Sequence, residues 1–147
     1  MIPSTSFARY ESQALGVLRI VTALLFIGHA VVKLFGFPPG AAPGPQALTS
    51  LFGVAGVIEL IVGVMILVGW FTRPAAFLAA GEMAVGYWMI HAPQSPFPIA
   101  NKGELAILFC IMFLYLLFSG PGAWSVDGRG AAPGVRRARS EAGENTP

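Results

Sequence analysis

Charged residues are scarce in this 147-residue chain: Asp, Glu, Lys and Arg make up 11% of it, whereas 55% of the residues are hydrophobic. Soluble domains average about 25% charged residues. With a mean hydropathy of +0.70, the chain has more apolar surface than one core of this size could bury. The composition therefore excludes a soluble globular protein and predicts an integral membrane protein of one domain.

Cysteine and histidine are also scarce. The single cysteine, Cys110, lies in an apolar run, which excludes an intramolecular disulfide and C-x-x-C chemistry. The histidines, His29 and His91, fall at depths that differ by about 8 Å, and no E-x-x-H pair occurs, so we expect neither a metal site nor haem. Phosphate-binding loops, nucleophile elbows and nucleic-acid-binding surfaces are absent from the sequence, so we expect no nucleic-acid partner.

The chain is rich instead in long apolar runs. A helix that spans a bilayer needs about 20 mainly apolar residues, and the first run is too long for a signal peptide, so we expect it to be retained. Short connections rich in proline and glycine separate the runs, with Pro74 suited to the first position of a helix. We predict an all-α fold, a four-helix transmembrane bundle of up-down topology, with helices at residues 15–37, 48–70, 74–90 and 102–119.

The basic residues indicate the orientation of this bundle. The first and third connections hold only Lys33 and Lys102, each beside a helix end. The arginines outside the helices fall at the N-terminus, in the second connection and in the tail: Arg9, Arg73, Arg129, Arg136, Arg137 and Arg139. The positive-inside rule therefore places both termini, residues 1–14 and 129–147, in the cytoplasm. We expect the basic tail to be disordered and to touch anionic headgroups.

Ionisable residues inside a bilayer are costly, so each is a functional-site hypothesis. At about 1.5 Å per residue, Glu59 and Glu82 lie near the membrane centre and His29 about 4–5 Å further out. Lys33 and Glu104 both lie about 10 Å towards the outer side, so we predict an ion pair between the first and fourth helices. The residues in question are Arg19, His29, Lys33, Glu59, Glu82 and Glu104.

Helical spacing predicts which way these side chains face. Arg19, His29 and Lys33 fall within about 80° on one face of the first helix. The two central glutamates lie in the similar segments G56-V-I-E-L-I-V-G63 and A79-A-G-E-M-A-V-G86. Small residues on the carboxylate's own face mark close helix packing in membranes, so we predict that both carboxylates point into the bundle.

Purely structural interpretations compete with these functional ones. The long side chains of Arg19 and Lys33 can reach the membrane surfaces, and N101-K-G-E104 has the form of a capping box. His29 is also explained as a core histidine hydrogen-bonded to a carboxylate. The two central glutamates are the hardest to explain structurally, because neither can reach a surface. They are neutral, paired with cations or part of a polar cavity.

Several motifs together resemble the DoxX family over roughly residues 15–128. They are R19-x(8)-G28-H-A-x-x-K33-L-F-G-F, the mid-helix Glu59, N101-K-G-E104 and S119-G-P-G-A-W-S-V-D127. DoxX-like proteins are small four-helix proteins of the bacterial inner membrane, named for similarity to the membrane subunit of a thiosulfate:quinone oxidoreductase. The resemblance implies a multi-pass protein of that membrane with a quinone-linked or redox-associated role.

The resemblance also implies site residues. Arg19, Lys33, Glu59, Asn101 and Glu104 match family-typical positions, and burial adds His29 and Glu82. These seven are the candidate quinone- or proton-binding residues, and no catalytic residue is assigned. Asp127, which ends the last motif, is explained equally by a cytoplasmic turn that holds the last helix and by a functional role.

Three functions remain open at this point. The leading hypothesis is a quinone-interacting membrane subunit of an oxidoreductase, in which carboxylate, imidazole and ammonium groups pass protons or bind a quinone headgroup. The alternatives are a non-catalytic anchor that recruits partner proteins and a small proton-coupled transporter. Quinone is the one cofactor considered, without a metal. The partners considered are the lipid bilayer, soluble or membrane redox proteins and a second copy of the chain.

Overall fold

The computed structural model describes residues 5–130, and all regular secondary structure in that range is helical. The predicted all-α class is thereby confirmed for this part of the chain. The basic cluster of the tail lies outside the described residues. In chain order the elements are α1 (Thr5–Ala8), α2 (Glu11–Phe35), α3 (Leu51–Val68), α4 (Thr72–Gly86), a π-helical turn (Tyr87–His91), α5 (Pro98–Asn101), α6 (Glu104–Ser119) and α7 (Val126–Gly130).

Local chemistry explains where the first two long helices begin and end. The first apolar run becomes α2, which ends at Phe35 because Gly36 adopts a left-handed conformation (φ 65°) and donates its N–H to the Val32 carbonyl. The second run becomes α3, which starts three residues later than the predicted residue 48. The Ser50 hydroxyl accepts a hydrogen bond from the Gly53 amide at 3.0 Å and so caps the helix at that point.

The ends of α4 and α6 differ from the sequence predictions. Helix α4 begins at Thr72, so Pro74 is its third residue and not its first. The first-turn amides that would otherwise lack a partner are satisfied by Asp127, as described below. Helix α6 begins at Glu104 after Gly103, which makes no side-chain cap. The predicted capping box is therefore wrong, because the Asn101 side chain caps Gly103 and not the third residue of a helix.

The four long helices pack in sequence around one core. Helix α2 lies along α3, α3 contacts α4, and α4 lies along α6. A line of alanines in α4 is buried and lets α6 approach closely. Three aromatic rings fill the space between α2 and α6: the Phe26 ring centroid lies 4.8 Å from that of Phe113 and 5.6 Å from that of Phe109. The core is thus built from alanine contacts on one side and from interlocking rings on the other.

The outer surface of the helices is strongly apolar. Leu25 on α2, Phe77 on α4 and Phe118 on α6 are 59%, 62% and 76% exposed. Soluble monomers rarely expose contiguous apolar surface of this extent. Two helices, α2 and α3, are both long and apolar enough to cross a membrane, whereas the apolar helix α6 is shorter, at 16 residues. The surface suits a lipid environment.

Candidate functional site

An ion pair joins the first two long helices. The Lys33 ammonium of α2 lies 2.5 Å from Oε1 of Glu59 on α3, and the Glu59 side chain is only 1% exposed. Glycine at position 56, one turn before Glu59, makes room for this contact, because a Cβ there would lie 3.0 Å from Cβ of Lys33. Lys33 therefore pairs with the central Glu59, and the predicted Lys33–Glu104 pair is wrong.

A cavity of about 450 Å³ lies beside this pair, between α3 and α4. Lys33, Glu59 and Glu82 are the ionisable residues in its wall. The remaining lining is Leu51, Phe52, Val54, Ala55, Ile58, Phe77, Leu78, Gly81, Met83, Val85, Gly86, Met89 and Ile90. A mainly apolar cavity with a few convergent polar groups is typical of a small-molecule site, and this volume falls within the range of about 300–1,000 Å³ for such sites.

Three carboxyl oxygens at the cavity lack a partner. Oε2 of Glu59 and both oxygens of Glu82 are buried and accept no hydrogen bond from the residues that the structure describes. A buried polar group without a partner is unfavourable by about 1–3 kcal/mol, and more when it is charged. These oxygens are closed off from a ligand in the cavity, so they favour a bound proton.

The cavity opens towards the outside of the helices. Several of its wall residues are exposed, among them Ile58 at 38%, Phe77 at 62% and Val85 at 56%. Among the polar wall residues, the side chains of Lys33 and Glu59 are 12% and 1% exposed. The cavity therefore suits an amphiphilic ligand with a polar head at Lys33 and an apolar body that continues outward.

The small residues around the two glutamates serve different purposes. On α3 the predicted close packing is confirmed, because a Cβ on Gly63 would lie 2.7 Å from Cγ1 of Ile27 in α2. On α4 a Cβ at Gly81 or Gly86 would meet no atom within 4 Å. The close packing predicted for the small residues around Glu82 therefore holds at Ala79, which is fully buried, and not at Gly86. Gly81 and Gly86 instead leave space in the wall of the cavity.

His29 lies away from the cavity. It is on α2, one turn before Lys33, and its ring packs edge-on against Phe109 of α6 at a centroid distance of 5.6 Å. It does not line the cavity between α3 and α4. On the face that Arg19, His29 and Lys33 share by helical spacing, Lys33 thus contacts α3 whereas His29 contacts α6.

Asn101 and Glu104 also lie away from the cavity. Asn101 is 1% exposed, and its amide donates to the Ser95 carbonyl at 2.8 Å while its oxygen accepts from the Gly103 amide at 2.8 Å. Its backbone carbonyl is 2.9 Å from Nδ1 of His91. Glu104 is exposed at the start of α6. Asn101 therefore holds the connection between α4 and α6.

Arg19 binds backbone at the opposite end of α2. Its side chain is buried, and all five of its N–H donors have carbonyl acceptors. Nη1 donates to Ile66 and Leu67 at the end of α3. Nε donates to Pro121 at 2.8 Å, and Nη2 donates to Ala123 and Trp124 at 3.1 and 3.0 Å. Arg19 thus fixes the segment 119–125 to α3, and the interpretation that it reaches out to the membrane surface is wrong.

Asp127 caps α4 from a distant part of the chain. Its carboxylate accepts from the amides of Phe71 and Thr72 at 2.9 and 2.8 Å, and its own amide donates to the Gly69 carbonyl at 2.9 Å. Burial pushes the pKa of Asp127 up, but the Thr72 and Phe71 hydrogen bonds and the charge of Arg19 outweigh it and hold this pKa below its usual value. Asp127 therefore has a structural role, but it holds the start of α4 and not, as that interpretation had it, the last helix.

A known protein family matches the part of the chain that lines the cavity. The DoxX family model matches residues 14–92, which is more than half of the chain and includes the Lys33–Glu59 pair and Glu82. The chain belongs to the DoxX family.

Relatives of this DoxX protein occur in several bacteria. An uncharacterised protein of Haemophilus influenzae is 42% identical over 125 residues, which cover 82% of this chain and 93% of the relative. The inner membrane protein YphA of Escherichia coli is 32% identical over 127 residues, covering 77% and 87%. A membrane protein of Mycobacterium tuberculosis is 29% identical over 138 residues, covering 76% and 78%. No solved structure matches the chain.

The family-typical residues of this DoxX protein thus separate into two places. Lys33 and Glu59 lie at the cavity together with Glu82, which the sequence singled out only from its central position in an apolar run. Arg19, Asn101 and the last motif stabilise connections between helices. The apolar wall and Gly81 were not identified from sequence, although the glycine directly before Glu82 was a usable signal. Within residues 5–130, no three His, Cys, Asp or Glu side chains come together as metal ligands.

Proposed function

We propose that this DoxX-family protein is a four-span protein of the bacterial inner membrane that binds the headgroup of a lipid quinone between α3 and α4. The observation that carries the proposal is the cavity itself. It is mainly apolar and open to the outside of the helices, and its wall includes the Lys33–Glu59 ion pair and Glu82. The relative YphA is named an inner membrane protein, which supports the same location for this chain.

The four-span topology rests on the way the helices pack. Helices α4 and α6 are shorter than α2 and α3, but they lie alongside them and share the same apolar outer surface. The π-helical turn Tyr87–His91 extends α4 by more than one turn. With four spans, both termini lie on one side, and the positive-inside rule assigns that side to the cytoplasm.

The residues of the cavity have complementary roles in this proposal. The Lys33 ammonium uses one N–H on Glu59, which leaves two donors for an oxygen of the headgroup. Glu82 lines the same cavity and can exchange a proton with the bound headgroup. The exposed apolar wall residues contact the ring and the tail. The chain would serve a soluble or membrane redox partner as its quinone-binding subunit.

Bound quinone is the direct test. The protein is purified in mild detergent or in lipid nanodiscs, extracted with organic solvent and analysed for quinones by mass spectrometry. A decyl-substituted benzoquinone is then titrated while thermal unfolding is followed, because a ligand that binds only the folded state raises the unfolding temperature. We expect quinone in the extract and a saturable increase in that temperature.

Two glycine variants make the test specific. Gly81→Leu places a side chain in the cavity without meeting protein atoms at its Cβ, so it should fold and lose the quinone response. Gly28→Leu is the matched control, because Gly28 is an exposed glycine on α2 with equally open space and lies outside the cavity. If neither extract nor titration shows quinone, or if both variants respond equally, the proposed function is wrong.

A further inference from the structure

Arg73 lies at the end of α6 with part of its guanidinium unused. It is the second residue of α4, and its Nη1 donates to the carbonyls of Leu117 and Phe118 at 2.6 and 3.0 Å. These two bonds satisfy the last turn of α6, as basic residues commonly do. Nε and Nη2, which carry the other three N–H donors, have no acceptor among the residues that the structure describes. Arg73 is exposed, and it does not line the cavity between α3 and α4.

The free edge of Arg73 has the geometry that binds a phosphate. Nε–H and one Nη2–H of an arginine point in the same direction, and this planar fork donates two parallel hydrogen bonds to a pair of phosphate or carboxylate oxygens. Glycine at position 120 leaves the edge uncovered, because a Cβ there would lie 3.2 Å from Nη2 and 3.9 Å from Nε. Within residues 5–130 no carboxylate forms a salt bridge with Arg73, so the fork is available to an external anion.

An exposed apolar strip on α6 begins beside this fork. Phe118, whose carbonyl binds Arg73, is 76% exposed. The exposed side chains of Tyr115, Ile111 and Leu108 follow it back along the helix. Helical spacing places these four residues within about 80° on one face of α6. The strip therefore offers an acyl chain a continuous contact that starts at the guanidinium.

Two exposed tryptophans lie at the same end of the molecule. Trp70 precedes α4, and Trp124 follows α6. Tryptophan is enriched where lipid headgroups meet the hydrocarbon, so the fork lies at headgroup depth. Arg9 and Arg129 are exposed at this end too, against the exposed carboxylate of Glu11. Basic sites between membrane helices are typical binding sites of anionic lipid headgroups.

We propose that Arg73 is the binding site of an anionic phospholipid. The Nε–Nη2 fork donates to the two non-bridging oxygens of the phosphodiester, and one acyl chain lies along the exposed strip of α6. An anionic headgroup is preferred to a zwitterionic one, because the latter brings an ammonium group that the arginines at this end repel. The site is separate from the quinone cavity, so neither proposal depends on the other.

Titration of the intact protein in detergent tests the site. The ligands are dioctanoyl phosphatidylglycerol, dioctanoyl phosphatidylcholine and the deacylated headgroup glycerophosphoglycerol, and binding is measured by native mass spectrometry. We expect phosphatidylglycerol to bind about fivefold or more tightly than phosphatidylcholine, which is the effect of one basic residue on an anionic lipid. The deacylated headgroup should not bind at the same concentrations. Equal affinities for the two lipids, or a headgroup that binds as tightly as its lipid, would overturn the proposal.

Matched arginine variants locate the binding. Arg73→Gln should lower the affinity for phosphatidylglycerol about fivefold. Arg9→Gln removes an exposed charge from the same end of the molecule and should change this affinity less than about twofold, because a charge away from the fork is screened. An equal loss in the two variants would show a diffuse attraction to the basic end and would contradict a site at Arg73.

Arg73→Lys keeps the test decisive if the glutamine variant does not fold. Lysine retains the charge at the end of α6 but carries a compact ammonium without a fork. We expect phosphatidylglycerol to bind this variant about threefold or more weakly than the wild type. A folded lysine variant with the affinity of the wild type would show that charge alone is recognised, and the proposed contact with the phosphodiester would be wrong.

Discussion

Lys33 on α2 and Glu59 on α3 form a salt bridge of 2.5 Å at the edge of the cavity. The pair joins two helices that pack along each other, so its partners are adjacent although the sequence predicts different membrane depths for them. It also fixes one wall of the cavity, because Glu59 cannot move without leaving the ammonium unpaired. The packing of α2 against α3 thus determines where the two charged groups lie in the cavity wall.

Breaking this pair from one side should be costly. Glu59→Met or Lys33→Met leaves the remaining charge buried and unpaired, and we expect the free energy of unfolding to fall by about 3 kcal/mol. The double variant Lys33→Met, Glu59→Met should lie closer to the wild type than the sum of the single effects. Denaturant titration in detergent micelles measures all of these. Strictly additive effects would show that the two groups do not interact.

Alanine substitutions should distinguish glycines that pack against a neighbouring helix from glycines that line the cavity. Gly63→Ala places a Cβ at 2.7 Å from Ile27, so it should lower the free energy of unfolding by about 1–3 kcal/mol. Gly81→Ala meets no atom and removes the entropy penalty of a helical glycine, about 0.5–1 kcal/mol, so it should be neutral or stabilising. Unfolding in micelles tests both, and an equal loss for the two would contradict the distinction.

Arg19 should not be replaceable by lysine. Lysine keeps the charge, but it has three donors on one nitrogen and cannot reach five carbonyls on two segments at once. We expect Arg19→Lys to lower the free energy of unfolding by about 3 kcal/mol or more. Arg9→Lys at an exposed position is the control. A lysine variant as stable as the wild type would show that the carbonyl contacts contribute little.

The Asp127 cap should depend on pH in a defined direction. The pKa of Asp127 is lower in the folded protein than its ordinary value of 3.8, so its stabilising effect is complete above that value and is lost as the pH falls through the folded-state pKa. We expect Asp127→Ala to cost about 1 kcal/mol at pH 7 and progressively less below about pH 4. Unfolding measured from pH 7 to pH 3 for both proteins checks this. A difference that grows on acidification would contradict it.

Accessibility of single cysteines should report the topology. In a Cys110→Ala background, cysteines at the exposed positions Gly40 and Gln94 should react with an impermeant maleimide added outside whole cells. Cysteines at Ser12 and Gly128 should react only after the membrane is opened. Labelling of positions 40 and 94 on opposite sides would contradict the four-span arrangement.

Hydropathy located the helices because each long helix carries an apolar surface that the sequence displays directly. It could not identify the neighbour of each buried charge. The sequence estimate of membrane depth matched Lys33 with Glu104, but depth says nothing about which helices are neighbours. In the structure Lys33 pairs with Glu59 on the adjacent helix. The partners of Arg19 are also invisible in sequence, because backbone carbonyls carry no residue-specific signal. The cavity depends on how α3 and α4 pack beside each other, which no local pattern encodes.

The contacts of Arg19 have a consequence for biogenesis. Three of its five donors bind carbonyls that follow it by 102 to 105 residues, so a ribosome must synthesise nearly the whole described chain before they exist. Until then, three of the five guanidinium donors lack their final acceptors. Docking of the segment 121–124 therefore cannot precede the synthesis of α6. A chain truncated before this segment would keep Arg19 buried against α3 with those three donors unsatisfied.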